Sequence, residues 1–257
     1  MITIKNQQEI QKMREANRIV GLLLHKLEKI IEPGISTQEL TEYAEKLIRD
    51  EGGKPAFKGY TVPGLQPFPA ALCTSPNSGI VHGIPSADQI LREGYIIGVD
   101  VGVLKDGFYG DAARTYRVSK ISDEAEKLME ITREALARGI AAAREGNRIG
   151  DISHAIGSFV TESGYFIADS LTGHGIGRKL HEDPVIPNMG TKGKGPRLRS
   201  GMTLAIEPMV NIGTNRVNEN GWEFFVADGS LSAHFEHTVL ITKDEPEILT
   251  LYKDSEE

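Results

Sequence analysis

The sequence has little of what would set it apart from ordinary globular proteins. Among 257 residues there is a single cysteine, Cys73. Neither a disulfide framework nor a cysteine-based zinc site can therefore form within the chain, and no oxidising compartment is required. No apolar run approaches the roughly 20 residues of a membrane helix. The opening stretch MITIKNQQE lacks the basic and apolar regions of a secretory signal, which makes a soluble cytoplasmic protein the expectation. Positive charge is not in excess either: 36 acidic against 29 basic side chains give a net charge of -7. That balance offers no global electrostatic footprint for nucleic acid or an anionic membrane. Walker A, His-Glu-x-x-His and Gly-x-Ser-x-Gly patterns are missing as well. With 39% hydrophobic residues, a chain of this length can bury about three quarters of its unfolded surface and needs no structural metal to fold.

Two similar halves can be read from the periodicity. Asn6 to Glu9 has the form of a capping box, and Met13, Ala16, Ile19, Val20, Leu23, Leu24, Leu27, Ile30 and Ile31 follow at helical spacing. Ser36 to Glu39 repeats the box and opens a second helix through Leu40, Ala44 and Leu47, ending near Gly52. From about Ser122 the plan recurs, with a helix through Leu128, Ile131, Leu136 and Ile140 and another through Ile152, Ile156 and Val160 to Gly164. Gly34 to Gly52 and Gly146 to Gly164 share one spacing, and an offset of 112 residues superposes the two helix pairs. Each pair is followed by short β-rich runs, at residues 96–103 and 108–118 in the first half and 203–212, 222–227 and 232–242 in the second. The expectation is one α+β domain over residues 1–257, with pseudo-symmetric halves of about 1–120 and 121–257, helix pairs outside and antiparallel sheets inside.

The polar residues inside these runs are the informative ones. Asp106-Gly107 between β-rich runs is a hairpin signal. It sets Lys105 opposite Phe108 and Gly102 opposite Asp111, which puts Asp100 and Asp111 on one face with Gly102 leaving room between them. Aspartate is disfavoured in strands, and two facing the same way call for a cation, for which a divalent metal is the natural candidate. The alternative is a pair of surface positions on a solvated sheet face. Glu207 ends an apolar strand and is held extended by Pro208. Glu236 stands within a core-like strand between Phe235 and His237, and His174 lies among glycines with His181 seven residues on. Together these residues resemble the oxygen-rich, imidazole-poor ligand set of a two-metal hydrolase.

Val81-His-Gly-Ile-Pro85, Val99-Asp-Val-Gly102, Tyr109-Gly-Asp-Ala-Ala-Arg-Thr115, Gly173-His-Gly-Ile-Gly177, His181-Glu-Asp-Pro184, Ile206-Glu-Pro-Met209 and Ser230-Leu-Ser-Ala-His-Phe-Glu-His-Thr238 resemble, in order and over nearly the whole chain, the motifs of type I methionine aminopeptidases. The resemblance implies the duplicated pita-bread fold of the creatinase and aminopeptidase class. It also implies removal of N-terminal methionine from nascent proteins and peptides with a small second residue, by a metal-activated bridging water. Two divalent ions (Mn, Fe, Co or Zn) would be held with Asp100 on one, His174 and Glu207 on the other, and Asp111 and Glu236 bridging. Glu207 would be the general base, His181 would stabilise the oxyanion and His82 the scissile nitrogen. The methionine pocket carries over to Tyr60, Cys73, His82 and Trp222, with Phe57 and Phe68 as walls. The loop 61–67 is longer than the family pattern, and Leu180 stands where that pattern often has Phe. With 28 residues between Glu207 and Glu236 there is no space for the insertion of type II enzymes, so the short bacterial form is expected. The implied partners are nascent polypeptide N-termini, with the chain acting as a cytoplasmic monomer and binding neither DNA nor membrane.

Two rival readings stay open at this point, a proline-directed aminopeptidase of the same fold and a non-catalytic relative that keeps the fold as a binding module. His25 and His154 are read as structural or surface residues. His234 should share a face with Glu236, and His237 should point away. The basic loop with Lys192, Lys194, Arg197 and Arg199 is read first as solvated, and second as a contact with ribosomal RNA.

Overall fold

The computed structural model describes residues 1–252 of the chain; the expectation of one domain extends over residues 253–257, which lie outside the described residues. The first half runs α1 (Gln7–Leu27), α2 (Thr37–Asp50), β1 (Lys54–Pro55), β2 (Leu72–Pro76), β3 (Gly79–Val81), β4 (Ile96–Lys105) and β5 (Phe108–Arg117). The second opens on α3 (Asp123–Ala142) and α4 (Ile149–Glu162). After them come β6 (Phe166–Ile167), β7 (Thr172–Gly175), β8 (Glu182–Pro187), β9 (Thr203–Ile206), β10 (Met209–Asn211), β11 (Val217–Asn220), β12 (Glu223–Val226), β13 (Ser232–His234), β14 (His237–Leu240) and β15 (Glu247–Ile248).

Local chemistry starts the helices where the sequence says it should. Asn6 and Ser36 cap the N–H groups of Glu9 and Glu39, and each glutamate reaches back to the cap backbone, a reciprocal arrangement worth about 1 kcal/mol per cap. Ser122 caps α3. The first helix ends at Leu27, one turn before Ile30 and Ile31. The expected internal repeat is visible in α2 and α4: Thr37 maps onto Ile149 and Asp50 onto Glu162 at the same offset of 112. Their flanking glycines are left-handed in matched pairs, Gly34 with Gly146 and Gly52 with Gly164. An isolated β-bridge precedes each of these helices, at Ser36 and at Arg148. Among the described residues no helix is long and apolar enough to cross a membrane.

Every strand pairing among the described residues is antiparallel. The β4–β5 hairpin is the centre of the first sheet. Asp106 and Gly107 both take positive φ, and the register runs from Lys105 opposite Phe108 to Ile96 opposite Arg117, with Gly102 facing Asp111. Alternation then divides the sheet between two tasks. Ile97, Val99, Val101, Val103 and Ala112 are buried in a core with Ile19, Val20, Leu23, Leu40 and Ile48 of α1 and α2. The opposite face carries Gly98, Asp100, Gly102, Asp111, Ala113 and Thr115, and it is this face that the second half covers. A second core joins Leu128, Leu136, Ile152 and Ile156 of α3 and α4 to Leu204, Ile206, Val210 and Val239. Both helix pairs therefore lie outside their sheets.

Close approach of α1 to the hairpin depends on one missing side chain. A Cβ on Gly110 would lie 2.8 Å from Asn17 Oδ1 and 2.9 Å from the Asn17 backbone nitrogen, and Asn17 itself is fully buried. Gly110→Ala should lower unfolding stability by roughly 1 to 3 kcal/mol, the usual cost of overpacking a filled interior. Urea denaturation of the purified variant measures it, and an unchanged midpoint would mean that α1 can back away freely.

Candidate active site

The space between the halves is a cavity of about 840 Å³. Its lining includes all the residues singled out from the sequence: Phe57, Tyr60, Phe68, Cys73, His82, Asp100, Asp111, His174, His181, Glu207, Trp222 and Glu236. The first sheet contributes Asp100 and Asp111. The second half is hydrogen-bonded directly to the free edge of β5: Glu236 N–H donates to Ala113 O at 2.9 Å, Thr115 Oγ1 donates to His234 O at 2.9 Å, and Thr238 Oγ1 donates to Asp111 O at 2.7 Å. These bonds fix Glu236 against the hairpin that carries Asp100 and Asp111.

Glu207 ends its strand as expected, whereas Glu236 departs from its expected setting within one. The run 203–212 is divided into β9 and β10 at Glu207-Pro208, and the run 232–242 into β13 and β14 at Phe235-Glu236. Both carboxylates thus occupy breaks between strands. An interrupted ladder lets a side chain leave the two-residue alternation and turn toward the cavity. Gly102 also does something other than expected. A Cβ there would meet Phe57 Cε1 at 2.7 Å, so the missing side chain makes room for the pocket wall and not for a group between the aspartates.

The electrostatics of the cavity floor are unbalanced. Asp111, Glu236 and His234 are buried, and among the described residues no lysine or arginine pairs with Asp100, Asp111, Glu207 or Glu236. Burial raises all four carboxyls, Asp100 to about 7 and Glu207 to about 8, with Asp111 and Glu236 also pushed well up by their acidic neighbours. Burial drives the imidazoles the other way, His174 to about 3 and His82 and His234 to about 4. His174 Nδ1 lies 2.9 Å from Gly175 O. A carbonyl only accepts, so Nδ1 carries the proton and Nε2 presents a lone pair. That lone pair faces Glu207 Oε1 at 3.5 Å and Asp111 Oδ2 at 3.8 Å, an arrangement of acceptor against acceptor. Asp100 Oδ1, Asp111 Oδ1, Glu236 Oε1 and His234 Nε2 are buried without a hydrogen-bond partner. Such a set of unpaired acceptors fits divalent cations. Donor atoms of Asp111, His174 and Glu236 lie within 4.8 Å of one another, as do those of Glu207, His234 and Glu236, so Glu236 belongs to both groups. The thiol of Cys73, paired across from Asp100 in the sheet, is pushed well up by burial and stays protonated.

One wall of the cavity is apolar. Phe57, Phe68, Cys73, Ile176 and Leu180 are buried together, with Tyr60 and Trp222 packed against them. Trp222 stands edge-on to Phe68 at 5.5 Å, and its Nε1–H donates to Gln66 O at 2.8 Å, so the long loop 61–67 holds the tryptophan in place. His82, at a left-handed φ of 58°, stacks edge-on to Phe224. His181 Nδ1 is 2.7 Å from the Tyr60 hydroxyl, and its ring lies 4.4 Å from that of His174. Two features were hidden in the sequence. His234 reaches Glu207 Oε2 at 3.5 Å and sits inside the cluster, where its spacing from Glu236 alone placed it only nearby. The Tyr60–His181 contact joins residues 121 positions apart and leaves no local signal. His237 points away as expected, with Nδ1 2.8 Å from Thr250 Oγ1, and His25 stacks on Tyr252.

Residues 11–243 match the model of metallopeptidase family M24. A methionine aminopeptidase of Clostridium acetobutylicum is 49% identical over 253 residues, 98% of this chain and 99% of the relative. The crystal structure of methionine aminopeptidase from Thermotoga maritima superposes with a TM-score of 0.93 at 44% identity, covering 97% of this chain and 99% of that one. A prolidase from Pyrococcus horikoshii shares the fold at a TM-score of 0.78 and 24% identity, with 98% of this chain spanning 64% of that longer one.

The titrations of the floor set the stability of the metal-free chain. A carboxyl whose folded pKa is raised binds more protons when folded, so its contribution is complete below its ordinary value and is lost as pH rises through the folded value. Histidines with lowered pKa act oppositely and cost stability as pH falls below 6.5, their ordinary value. Between pH 6.5 and about 8, only the carboxyls change, with Asp100 at about 7 and Glu207 at about 8. The melting temperature in chelator should therefore fall across that window, and saturating divalent metal should remove the fall, because bound cations keep the carboxylates ionised. Calorimetry with and without metal decides it; a flat metal-free profile would contradict the assignment.

Proposed function

The chain belongs to metallopeptidase family M24 and, within it, to the methionine aminopeptidases, and from that premise we propose that it removes the N-terminal methionine of nascent proteins and peptides whose second residue is small. It is a hydrolase, a metallo-exopeptidase. The observation that carries the proposal is the meeting, in one cavity, of an apolar wall with a floor of unpaired carboxylates and neutral imidazoles. Five residues are read as holding two divalent ions: Asp100 on one, His174 and Glu207 on the other, Asp111 and Glu236 shared. Mn, Fe, Co and Zn all suit such a donor set. When bound, the ions supply Lewis acidity toward a water and the scissile carbonyl.

The protein's own groups supply the rest. Glu207 takes a proton from the attacking water and returns it to the leaving amine. Tyr60 donates its hydroxyl hydrogen to His181 Nδ1, which leaves His181 Nε2–H to meet the developing oxyanion. His82, kept neutral by burial, faces the scissile nitrogen. Phe57, Tyr60, Phe68, Cys73 and Trp222 take the methionine side chain, and Leu180 adds an adaptable apolar surface suited to a thioether. The enzyme is read as a cytoplasmic monomer with both halves forming one catalytic unit. Its basic loop, with Lys192, Lys194, Arg197 and Arg199 exposed, is read as solvated first and as a ribosomal RNA contact second.

Assays of Met-Ala-Ser, Met-Pro-x and Ala-Pro-x peptides across a panel of divalent metals test the proposal. Turnover of Ala-Pro-x in preference to Met-Ala-Ser would instead establish a proline-directed enzyme, and no turnover with any metal would leave a binding protein. Asp111→Asn should abolish turnover and lower metal stoichiometry, since an amide cannot bridge two cations as a carboxylate does; full activity with two ions bound would refute the shared-ligand assignment. His181→Ala should cut kcat by ~10² or more while metal content stays near wild type. Loss of metal on that substitution would make His181 a ligand.

A further inference from the structure

Lys5 is the one lysine or arginine among the described residues that is buried, at 6% exposure. An ammonium taken out of water is costly unless it is fully paired, and replacing a buried ion pair with apolar groups is often neutral for stability. Stability alone is thus a weak account of this pair, and its location supplies a better one. Lys5 Nζ donates to Glu182 Oε2 at 2.9 Å and to Thr3 Oγ1 at 2.7 Å, and Thr3 Oγ1 donates to the same Glu182 oxygen at 2.6 Å. The other oxygen, Glu182 Oε1, accepts the backbone N–H groups of Arg178 at 2.8 Å and Lys179 at 3.1 Å. One carboxylate therefore closes the turn over residues 178–182, the turn that presents His181.

The path of the lysine is built into the chain. A Cβ on Gly177 would lie 2.5 Å from Lys5 Cε, so the stem crosses the turn where no side chain exists. The Lys5 backbone is tied down as well: its N–H donates to Gly201 O at 2.8 Å, and α1 begins just after it. His181 is then fixed from two directions, its ring by the Tyr60 hydroxyl and its backbone by the carboxylate of the next residue.

The geometry points to Lys5 and Glu182 as positioning residues for His181, a buried clamp that holds the 178–182 turn so that the imidazole meets the scissile carbonyl in register. The inference rests on the reading of His181 given above. A displacement near 1 Å can cost ~10² in rate, so the clamp acts on the chemical step and not on metal binding.

A double-mutant cycle tests it on the metal-loaded enzyme. Lys5→Met should lower kcat ~10-fold or more, with KM for Met-Ala-Ser and metal content within ~2-fold of wild type. In a His181→Ala background the same substitution should cost less than ~2-fold, because the group it positions is gone. Glu182→Gln, which keeps an acceptor for the two N–H groups, should retain more activity than Glu182→Ala, and it replaces Lys5→Met in the cycle should that variant not fold. In metal-free protein, the imidazole ¹⁵N shifts of His181 should move in Lys5→Met while those of His82 stay. Losses that multiply in the cycle, or an unmoved His181 resonance, would overturn the clamp. Wild-type activity in His181→Ala alone would overturn the reading of His181 on which it rests.

Discussion

Acidic groups gathered on the floor of one cavity govern this structure. Asp111 and Glu236 are buried and Asp100 and Glu207 share their cavity, while among the described residues only imidazoles approach them. Four carboxylates so placed repel one another, and the protein supplies no lysine or arginine to offset the repulsion. What it supplies is a frame stiff enough to hold them in place. Two of the four stand on one continuous hairpin, and the other two stand on segments hydrogen-bonded to that hairpin's edge or anchored by it. The energy of the site is thus borne by the sheets and helix pairs behind it, whose apolar cores face away from the cavity.

This constraint explains why the first sheet has one face of bulky apolar residues and one of small or acidic ones. Along β4, Val99, Val101 and Val103 alternate with Gly98, Asp100 and Gly102. The valines bury against α1 and α2, and the small residues admit Phe57 and the second half. A one-residue slip between β4 and β5 would leave one aspartate on the cavity face and send the other into the helix-facing core, where no neighbouring charge could compensate it. The left-handed turn at Asp106-Gly107 prevents that slip, so a two-residue loop far from the cavity sets the position of two carboxylates inside it.

How much of this was legible follows from whether regular periodicity held. Helix starts at Asn6, Ser36 and Ser122, the hairpin register and the shared face of Asp100 and Asp111 all obey local rules and could be read directly. Glu207 and Glu236 stand where the two-residue period fails. Pro208 marks the first break in the sequence itself, whereas the run around Glu236 reads as unbroken because the residues on both sides are apolar, and its break accompanies the tertiary bond from Glu236 N–H to Ala113 O. His234 is expected only to share a face with Glu236, and its place within the cluster could not be read by parity across an interruption. The methionine pocket was named from motif resemblance, not from physics. Tyr60, Cys73 and Trp222 are far apart in sequence, and nothing local says that they meet.

The contact between Tyr60 and His181 shows what such meetings add. A lone histidine on an exposed turn keeps both tautomers and a free ring. The phenol at 2.7 Å restrains the ring, and Trp222, whose indole is pinned by the carbonyl of Gln66, packs beside it. The loop 61–67 therefore bears on the apolar wall through the tryptophan and on the His181 ring through the tyrosine beside it. The apolar wall and the His181 ring are coupled through one row of aromatic side chains, so a change in the loop that loosened Trp222 would reach both together.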